Sequence, residues 1–237
     1  VNNPYILLHK TKITNTLCLE VKMNFDEEVL KYNVSRETLQ KLKDFMQILL
    51  EWNQKINLVS KNAEKELETR HLLDSLQLID YIRDDAKLLV DVGSGSGFPG
   101  IVLAIACQEK FPALKIVLIE SITKKTLYLK DVCSRLGLTN VEVINNRAEN
   151  VVFKNVDYIT ARAVASVDKI LKCTTGLNSK NTEYVLPKGH SGYAELEEAD
   201  KNWQMTVDIF ENFYARPFEV EKGKEGYVFC LTEVKKK

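Results

Sequence analysis

The sequence predicts an α/β protein with a doubly wound, mostly parallel sheet of seven strands and an N-terminal helical extension. Two observations predict this class. Beyond about residue 86, short apolar runs alternate with helical segments, which is the order that builds a parallel sheet covered on both faces. A glycine-rich stretch separates the first of these runs from the next helix, where doubly wound folds place a ligand-binding loop.

Composition describes an ordinary globular protein. Hydrophobic residues make up 45% of the 237 residues and charged residues 28%, enough for a full core. Lys plus Arg and Asp plus Glu both number 33, so any nucleic-acid footprint must be a local patch. Apolar runs are too short to cross a bilayer, and the five cysteines are scattered, as in a reducing compartment. We therefore expect a cytoplasmic protein with no membrane partner and no metal site.

The chain divides into three expected parts. Residues 1–22 show neither a helical period nor the order of a signal peptide, and we interpret them as a leader of uncertain origin. Residues 23–85 are expected to form the helical extension. Residues 86–237 are expected to form the α/β domain.

The spacing of apolar residues predicts the individual elements. The extension is expected to contain one helix from the N-cap Ser35 to about Leu58, and a second over about 64–83. The expected strands of the domain cover residues 88–92, 115–120, 141–145, 157–160, 183–187, 207–214 and 227–234. The expected helices cover residues 99–109, 123–136, 166–175 and 193–204. A loop containing Pro217 and Gly223 predicts that the last two strands are antiparallel.

The most informative stretch is the loop Asp91-Val92-Gly93-Ser94-Gly95-Ser96-Gly97-Phe98-Pro99-Gly100, between the first expected strand and its helix. Alternate glycines such as Gly93 and Gly95 remove Cβ atoms where a ligand must lie against the backbone. The helix that follows offers oriented N–H groups at its start. The loop is therefore typical of a nucleotide-cofactor site, because a merely tight turn does not need so many glycines.

Asp91 decides which cofactor the sequence favours, since the loop also satisfies the weak dinucleotide pattern GxGxxG. A carboxylate at this strand end would repel a pyrophosphate, at a cost of about 4 kcal/mol for like charges about 4 Å apart. The same carboxylate would attract the sulfonium and ammonium groups of S-adenosylmethionine (SAM). The sequence therefore favours SAM over NAD, on the expectation that Asp91 faces the ligand.

Two further positions fit a bound nucleoside. Glu120 ends the second strand of the domain, where an acid accepts hydrogen bonds from ribose hydroxyls. The segment Asn146-Arg147-Ala148-Glu149 follows the third strand, where the adenine should rest. NAD and SAM would both use these positions, so they support a nucleoside without choosing between the two.

A hydrolase triad is not expected, although His71, Asp74 and Ser75 share one helix face. A serine nucleophile normally sits on a strained elbow beside an oxyanion hole, and a smooth helix supplies neither. A structural or substrate-facing role is expected for these side chains instead.

Several motifs together resemble one family, the RsmG (GidB) methyltransferases, which modify N7 of one guanine in bacterial 16S ribosomal RNA. The matching segments are Trp52-Asn53, Asn57-Leu58, Arg70-His71-Leu72-Leu73-Asp74-Ser75-Leu76, the loop 91–100, Lys124-Lys125, Tyr128-Leu129, Arg147-Ala148-Glu149, Thr160-Ala161-Arg162-Ala163 and Lys188-Gly189. The resemblance spans about residues 36–200. Two positions depart from the usual pattern, Val59 in place of Thr and Pro187 in place of Leu.

The resemblance implies a Rossmann-like, class I SAM-dependent methyltransferase that acts on 16S rRNA or the small ribosomal subunit and releases S-adenosylhomocysteine. It implies cofactor contacts at Gly93, Phe98, Ala148, Glu149 and Arg162. These join Gly95 and Glu120, which the loop and the strand end already indicate.

The implied chemistry needs positioning rather than a catalytic base. Guanine N7 carries a free lone pair at neutral pH, so no proton has to leave before attack, and no residue is assigned with certainty as catalytic. Holding N7 in line with the methyl group would carry the reaction. Arg162 and Lys188 are the candidates that would position the substrate by a hydrogen bond to guanine O6.

Two other functions stay open on the sequence alone. A SAM-dependent enzyme of this fold could methylate a small molecule or a protein, which the neutral net charge slightly favours. The chain could also be a non-catalytic SAM-binding protein that docks on the ribosome.

Overall fold

A mixed sheet forms the centre of the computed structural model, which describes residues 6–9, 24–212, 214 and 226–237. The strands are β1 (Ile6–His9), β2 (Leu88–Val92), β3 (Lys115–Glu120), β4 (Val141–Asn145), β5 (Tyr158–Thr160), β6 (Glu183–Lys188), β7 (Trp203–Asn212) and β8 (Gly226–Lys236). Most of the expected leader, at 1–5 and 10–22, lies outside the described residues, as do Pro217 and Gly223 of the expected loop.

The strand order is β1-β7-β8-β6-β5-β2-β3-β4. β8 runs antiparallel to β6 and β7, and the other neighbours run parallel, which confirms the predicted doubly wound fold and the final antiparallel pair. The sheet has one strand more than predicted, because Ile6–His9 adds β1 beside β7. β2 lies between β3 and β5, so the chain reverses its direction of winding there. Parallel sheets bind ligands in the crevice at such a point, outside the carboxyl ends of the strands.

The helices are α1 (Phe25–Leu30), α2 (Arg36–Asn53), α3 (Lys61–Glu64), α4 (Asp74–Leu76), α5 (Gly100–Lys110), α6 (Thr123–Leu136), α7 (Val167–Cys173) and α8 (Gly192–Asp200). The predicted N-cap is confirmed, because the Ser35 hydroxyl accepts a hydrogen bond from the Thr38 N–H at 3.1 Å. The sequence analysis did not predict α1.

The second predicted helix, over 64–83, is wrong as a continuous helix. A π-helical turn (Leu67–Leu73), the short α4 and a 3-10 segment (Gln77–Tyr81) take its place. The apolar spacing is compatible with all three forms, and the π turn leaves the Arg70 carbonyl to accept from the Arg162 guanidinium at 2.9 Å. Such turns are frequent at functional sites.

The predicted helix over 193–204 ends earlier than expected. α8 stops at Asp200, and β7 begins at Trp203. From Trp203 to Ile209, every second side chain is buried, which is the period of a strand with one face on the core.

The helical extension and the sheet share one hydrophobic core. Phe45 and Leu49 of α2 belong to the same buried cluster as Ile101 of α5 and Leu118 of β3. A second cluster, which includes Ile159, covers the opposite face of the sheet. Among the helices described, none combines the length and the apolar character that a membrane crossing requires.

Candidate functional site

The glycine loop leaves the carboxyl end of β2 in a conformation that favours glycine. Gly93, Gly95 and Gly97 have φ of +67°, +53° and +93°, in the left-handed region that costs other residues strain. The loop is fastened to its neighbours, because the Gly93 N–H donates to the Ile119 carbonyl at 2.8 Å and the Tyr128 hydroxyl donates to the Ser96 carbonyl at 3.0 Å. The predicted loop is therefore a fixed ledge at the edge of the sheet, with no Cβ at its three left-handed positions.

Glu120 is buried at the end of β3 and holds the loop from below. Its Oε2 accepts the Gly95 N–H at 2.9 Å and its Oε1 accepts the Ile122 N–H at 2.8 Å. An ionised carboxylate has about four lone-pair sites, so about two remain for ribose hydroxyls. Glu120 thus orders the loop in addition to the role that the sequence indicates for it.

Asp91 does not face the ligand, and the expectation that it would do so is wrong. The residue is only 1% exposed, and its Oδ1 accepts a hydrogen bond from Thr160 Oγ1 at 2.8 Å. A Cβ built on Gly100 would lie 2.5 Å from Asp91 Oδ2, so the carboxylate is pressed beneath the start of α5. Burial raises the pKa of Asp91 to about 6. Its charge therefore acts on the site through the protein and not by direct contact.

A cleft of about 430 Å³ opens between the glycine loop and the end of β4. Of the predicted cofactor residues, Gly93, Ala148 and Glu149 line it. Its wall also includes Val92 of the quoted loop and residues that were not singled out from the sequence, namely Ile119, Ser121, Val164, Ala165, Lys169, Lys172 and Cys173. Most of the missed residues belong to or precede α7, which no motif pointed to.

The other predicted residues near the loop, Gly95, Phe98 and Glu120, do not line the cleft. Phe98 is 6% exposed and packs edge-on against Phe45 of α2, with ring centroids 5.3 Å apart. Its ring also lies 5.5 Å from the His71 ring and 6.0 Å from the Arg162 guanidinium carbon. Phe98 therefore joins the loop to the side of the site that holds Arg162.

The segment 163–165 borders both the cleft and a larger cavity: Ala163 lines the larger cavity, Val164 lines the cleft, and Ala165 lines both. A Cβ built on Gly93 would lie 2.6 Å from Val164 Cγ2, so this side chain lies directly on the loop. The preceding Ala163 has φ +55°, an uncommon conformation for a residue with a Cβ. The segment after β5 thus forms a partition with the cleft on one side and the larger cavity on the other.

The larger cavity has a volume of about 600 Å³ and collects side chains from distant parts of the chain. Its charged lining residues are Glu66, Arg70, Asp74, Arg162, Lys188 and Glu195. The candidate positioning residues Arg162 and Lys188 therefore lie in one cavity, beside the glycine loop.

Arg162 is held by three groups of the helical extension. Its Nε lies 2.9 Å from Asp74 Oδ2, and its Nη2 donates to the Arg70 carbonyl at 2.9 Å and to His71 Nδ1 at 2.8 Å. Burial lowers the pKa of the guanidinium from its usual value, although the Asp74 carboxylate opposes that shift. The group nevertheless remains a cation, because arginine does not deprotonate in proteins.

His71 is a neutral acceptor and not a base. Burial, together with the Arg162 and Arg70 cations, lowers the pKa of His71 to about 4. Because Arg162 donates to Nδ1, the ring proton belongs on Nε2, an atom with no hydrogen-bond partner among the described residues. Ser75 donates its hydroxyl to the His71 carbonyl at 2.6 Å, so no nucleophile is activated here. This geometry agrees with the rejection of a triad.

Lys188 ends β6 and is tied into the opposite wall. Its Nζ donates to the Ala165 carbonyl at 2.8 Å and to Glu195 Oε2 at 2.9 Å. Glu195 also accepts the Val167 N–H at 3.2 Å, which fixes α7 and α8 against each other. An ammonium has three donors, so one remains for a ligand.

The Trp52-Asn53 motif has a structural role. The Asn53 side-chain oxygen accepts the N–H groups of Leu58 and Val59 at 2.7 and 3.0 Å, closing the turn after α2.

Across the described part of the chain, no cluster of three or more His, Cys, Asp or Glu side chains is arranged to hold a metal ion.

Comparison with known proteins gives one consistent family. The model of the family described as rRNA small subunit methyltransferase G matches residues 38–216. The chain is 38% identical over 179 residues to the ribosomal RNA small subunit methyltransferase G of Ruegeria sp. (strain TM1040), covering 76% of this chain and 86% of that protein. It is 39% identical over 185 residues to the protein of the same name from Paramagnetospirillum magneticum, covering 78% of this chain and 87% of that protein.

Solved structures agree on the fold. The crystal structure of M. jannaschii TYW2 in complex with AdoMet superposes with a TM-score of 0.51 at 15% sequence identity, covering 67% of this chain and 74% of that chain. At this identity the likeness shows the fold alone.

Proposed function

Because the chain belongs to the rRNA small subunit methyltransferase G family, we propose that it transfers a methyl group from SAM to N7 of a specific guanine in 16S rRNA, leaving S-adenosylhomocysteine. The observation that carries the proposal is the pair of cavities that the segment 163–165 borders. One cavity has the ledge that a nucleoside cofactor needs. The other has hydrogen-bond donors for a base.

The residues of the cleft fit SAM. Gly93 brings backbone to the wall of the cleft, and Ala148 and Glu149 border the place for the adenine. Glu120, directly behind the loop, has lone pairs left for the ribose. When bound, SAM supplies a methyl group on a positively charged sulfur, which a neutral lone pair can attack. We propose Gly93, Gly95, Phe98, Glu120, Ala148, Glu149 and Arg162 as its binding residues.

No group of the larger cavity has to remove a proton. Guanine N7 presents its lone pair in the plane of the ring, and His71 is already neutral, with a pKa near 4 and its Nδ1 engaged by Arg162. The residues of the cavity therefore act by orienting the base and excluding water.

Arg162 and Lys188 are the proposed positioning groups. The guanidinium Nη1 of Arg162 makes no hydrogen bond to the described residues, and it carries two N–H donors. One donor suits guanine O6, and the other can serve the cofactor. Lys188 contributes its remaining donor from the opposite wall. Both residue types pair commonly with guanine.

The division of the chain fits this assignment. We propose that residues 86–237 bind the cofactor and that the extension over 23–85 supplies one wall of the larger cavity. Ile6–His9 forms β1 of the same sheet, so the interpretation of all of 1–22 as a leader outside the fold is wrong for these four residues. A small ribosomal subunit, or its 16S rRNA, is the proposed partner. The cytoplasm is therefore the proposed location.

The test is to map N7-methylguanine in 16S rRNA from cells that have or lack the protein. We expect one modified guanine that disappears without the protein and returns when purified protein and SAM are added to the unmodified RNA or subunit. Methyl transfer into an RNA-depleted extract would instead indicate a small-molecule or protein substrate. SAM binding without any transfer would indicate a non-catalytic ribosome-associated protein.

A further inference from the structure

Every Lys or Arg side chain that lines the larger cavity is paired with a carboxylate that also lines it. The pairs are Arg70 with Glu66 at 2.8 Å, Arg162 with Asp74 at 2.9 Å and Lys188 with Glu195 at 2.9 Å. The cavity therefore offers several N–H donors but no net charge from these groups.

The Arg162–Asp74 pair is the most deeply buried of the three. The Asp74 side chain is 5% exposed and that of Arg162 15%, against 46% for Glu66. Burying such a pair removes water from both charges, so its net contribution to stability is small. The pair therefore matters mainly for its effect on the orientation and charge of Arg162.

Asp74 is itself fixed from two sides. The Gln77 amide donates to Asp74 Oδ1 at 3.1 Å, and the Asn212 amide, at the end of β7, donates to the same oxygen. Gln77 and Asn212 are also bonded to each other at 2.7 Å. With Oδ1 held in this way, Oδ2 has one orientation in which to receive Arg162 Nε.

The resulting cradle determines which edge of the guanidinium is available. Asp74 takes Nε, while the Arg70 carbonyl and His71 Nδ1 take Nη2. Nη1 is left without a hydrogen bond to the described residues, on a side chain that lines the cavity. The Phe98 ring covers one face of the group at 6.0 Å.

We propose that Asp74 is a positioning residue for methyl transfer: it fixes the guanidinium of Arg162 with Nη1 toward the substrate and cancels its charge. This inference rests on the proposed function.

The charge balance matters because of where the charge goes in the reaction. The bond from guanine N7 to the methyl carbon forms as the carbon–sulfur bond breaks, and the electron pair of that bond stays on sulfur. Sulfur becomes a neutral thioether, and the guanine ring acquires the positive charge. An unpaired arginine beside O6 would oppose that charge, whereas an arginine paired with Asp74 donates its hydrogen bond without opposing it.

The direct test replaces Asp74 by Asn, which keeps the volume and removes the charge. With saturating SAM and RNA, the single-turnover rate of N7 methylation should fall about 10- to 100-fold in Asp74→Asn, because Arg162 loses both its orientation and its counterion. SAM affinity should fall much less than the rate, since Arg162 is only one of the seven proposed SAM contacts and lies outside the cleft, whose lining residues are untouched. A rate equal to that of the wild type, or a loss confined to SAM affinity, would overturn the proposal.

Two further variants control for a loss of folding. Glu51→Gln breaks an exposed carboxylate–arginine pair with Arg135, outside both cavities, and should leave the rate unchanged. Asn212→Ala keeps both charges of the buried pair but releases Asp74 Oδ1 from one donor. It should give an intermediate rate, with its thermal unfolding measured alongside; a folded Asn212→Ala protein with the wild-type rate would contradict the positioning role.

One readout is independent of the substrate. In protein labelled with ¹⁵N-arginine, the Nε–H resonance of Arg162 should exchange slowly with water in the wild type and rapidly in Asp74→Asn. Rapid exchange in the wild type would overturn the cradle itself. If the wild type shows the slow exchange but does not methylate guanine N7, the proposed function fails while the cradle stands.

Discussion

The two sides of the site are built from different materials. The cofactor cleft rests on backbone, in a loop where Gly93, Gly95 and Gly97 adopt left-handed conformations within a few residues of sequence. The larger cavity rests on side chains, brought by ion pairs and amide hydrogen bonds from segments as far apart as Asp74 and Asn212. Adding atoms should impair a site formed by backbone. A site formed by side chains should be impaired even by substitutions that preserve either the size or the charge of a residue.

This difference makes conservative substitutions informative. Arg162→Lys keeps the positive charge and can still reach Asp74, but it loses the planar fork that contacts His71 and the Arg70 carbonyl at the same time. We expect the single-turnover methylation rate to fall about 100-fold, because misplacing a group by about 1 Å costs that much. A fall of less than about threefold would show that a point charge suffices, and that the fork has no function.

Glu120 is the acidic side chain that anchors the glycine loop on the cofactor side. Glu120→Ala removes the acceptor of the Gly95 and Ile122 N–H groups as well as the bonds to ribose. Losing the charge-assisted bonds to the ribose should cost about 1.5–3 kcal/mol in total, so SAM should bind roughly 10- to 100-fold more weakly. Titration calorimetry measures this directly, and unchanged affinity would remove Glu120 from the binding site.

Gly93 tests whether added atoms damage the ledge, with Gly137 as a matched control. Both have similar positive φ, +67° and +61°, but a Cβ on Gly93 would meet Val164 at 2.6 Å, whereas one on Gly137 meets nothing within 4 Å. Both Ala variants should lose about 1–2 kcal/mol of stability from the left-handed conformation. Only Gly93→Ala should also weaken SAM, by about tenfold. Equal SAM affinity in the two variants would mean that Gly93 does not contact the cofactor.

The pH dependence of stability should be the smallest of these effects, because protonation of two buried groups changes the stability in opposite directions. The pKa of His71 is lowered to about 4, so the unfolded chain takes up this proton first, and stability is lost as pH falls from about 6.5 toward 4. The pKa of Asp91 is raised to about 6, so the folded chain takes up that proton first, and stability is gained as pH falls from about 6 toward 4. The wild type should therefore change little in this range.

Single variants should separate the two contributions. Urea unfolding at pH 7.5 and pH 5 should show that Asp91→Asn loses more stability on acidification than the wild type, and that His71→Gln loses less. If the free energy of unfolding changed equally between pH 7.5 and pH 5 in all three proteins, neither group would have the shifted pKa described above. The methylation rate should show no titration of a histidine base from about pH 6 to 8.5, since His71 stays neutral throughout.

The part of the site that sequence could predict is the part that local sequence determines. The glycine spacing of 91–100 fixes a loop conformation by itself, and the positions of Glu120 and Ala148 follow from the ends of parallel strands. The burial of Asp91 could not be predicted from local sequence, because it depends on contacts with Gly100 at the start of α5 and with Thr160 at the end of β5.

The larger cavity was recognised only in pieces. The sequence analysis noted His71 and Asp74 as a shared helix face and Arg162 by resemblance, but their contact depends on a π turn that apolar spacing does not reveal. Asn212 and Glu195 were not noticed at all, since no motif marks them. In the fold, the spacing of apolar residues likewise did not predict α1, and it did not predict that α8 ends at Asp200.

The most direct measurement compares SAM affinity and single-turnover rate in the same two variants, Gly93→Ala and Asp74→Asn. If the cleft binds the cofactor and the cavity positions the guanine, Gly93→Ala should weaken SAM while its rate at saturating SAM stays within about threefold of the wild type. Asp74→Asn should show the reverse, a slow transfer with SAM bound nearly as well as in the wild type. Parallel losses of both quantities in both variants would contradict this division of the site.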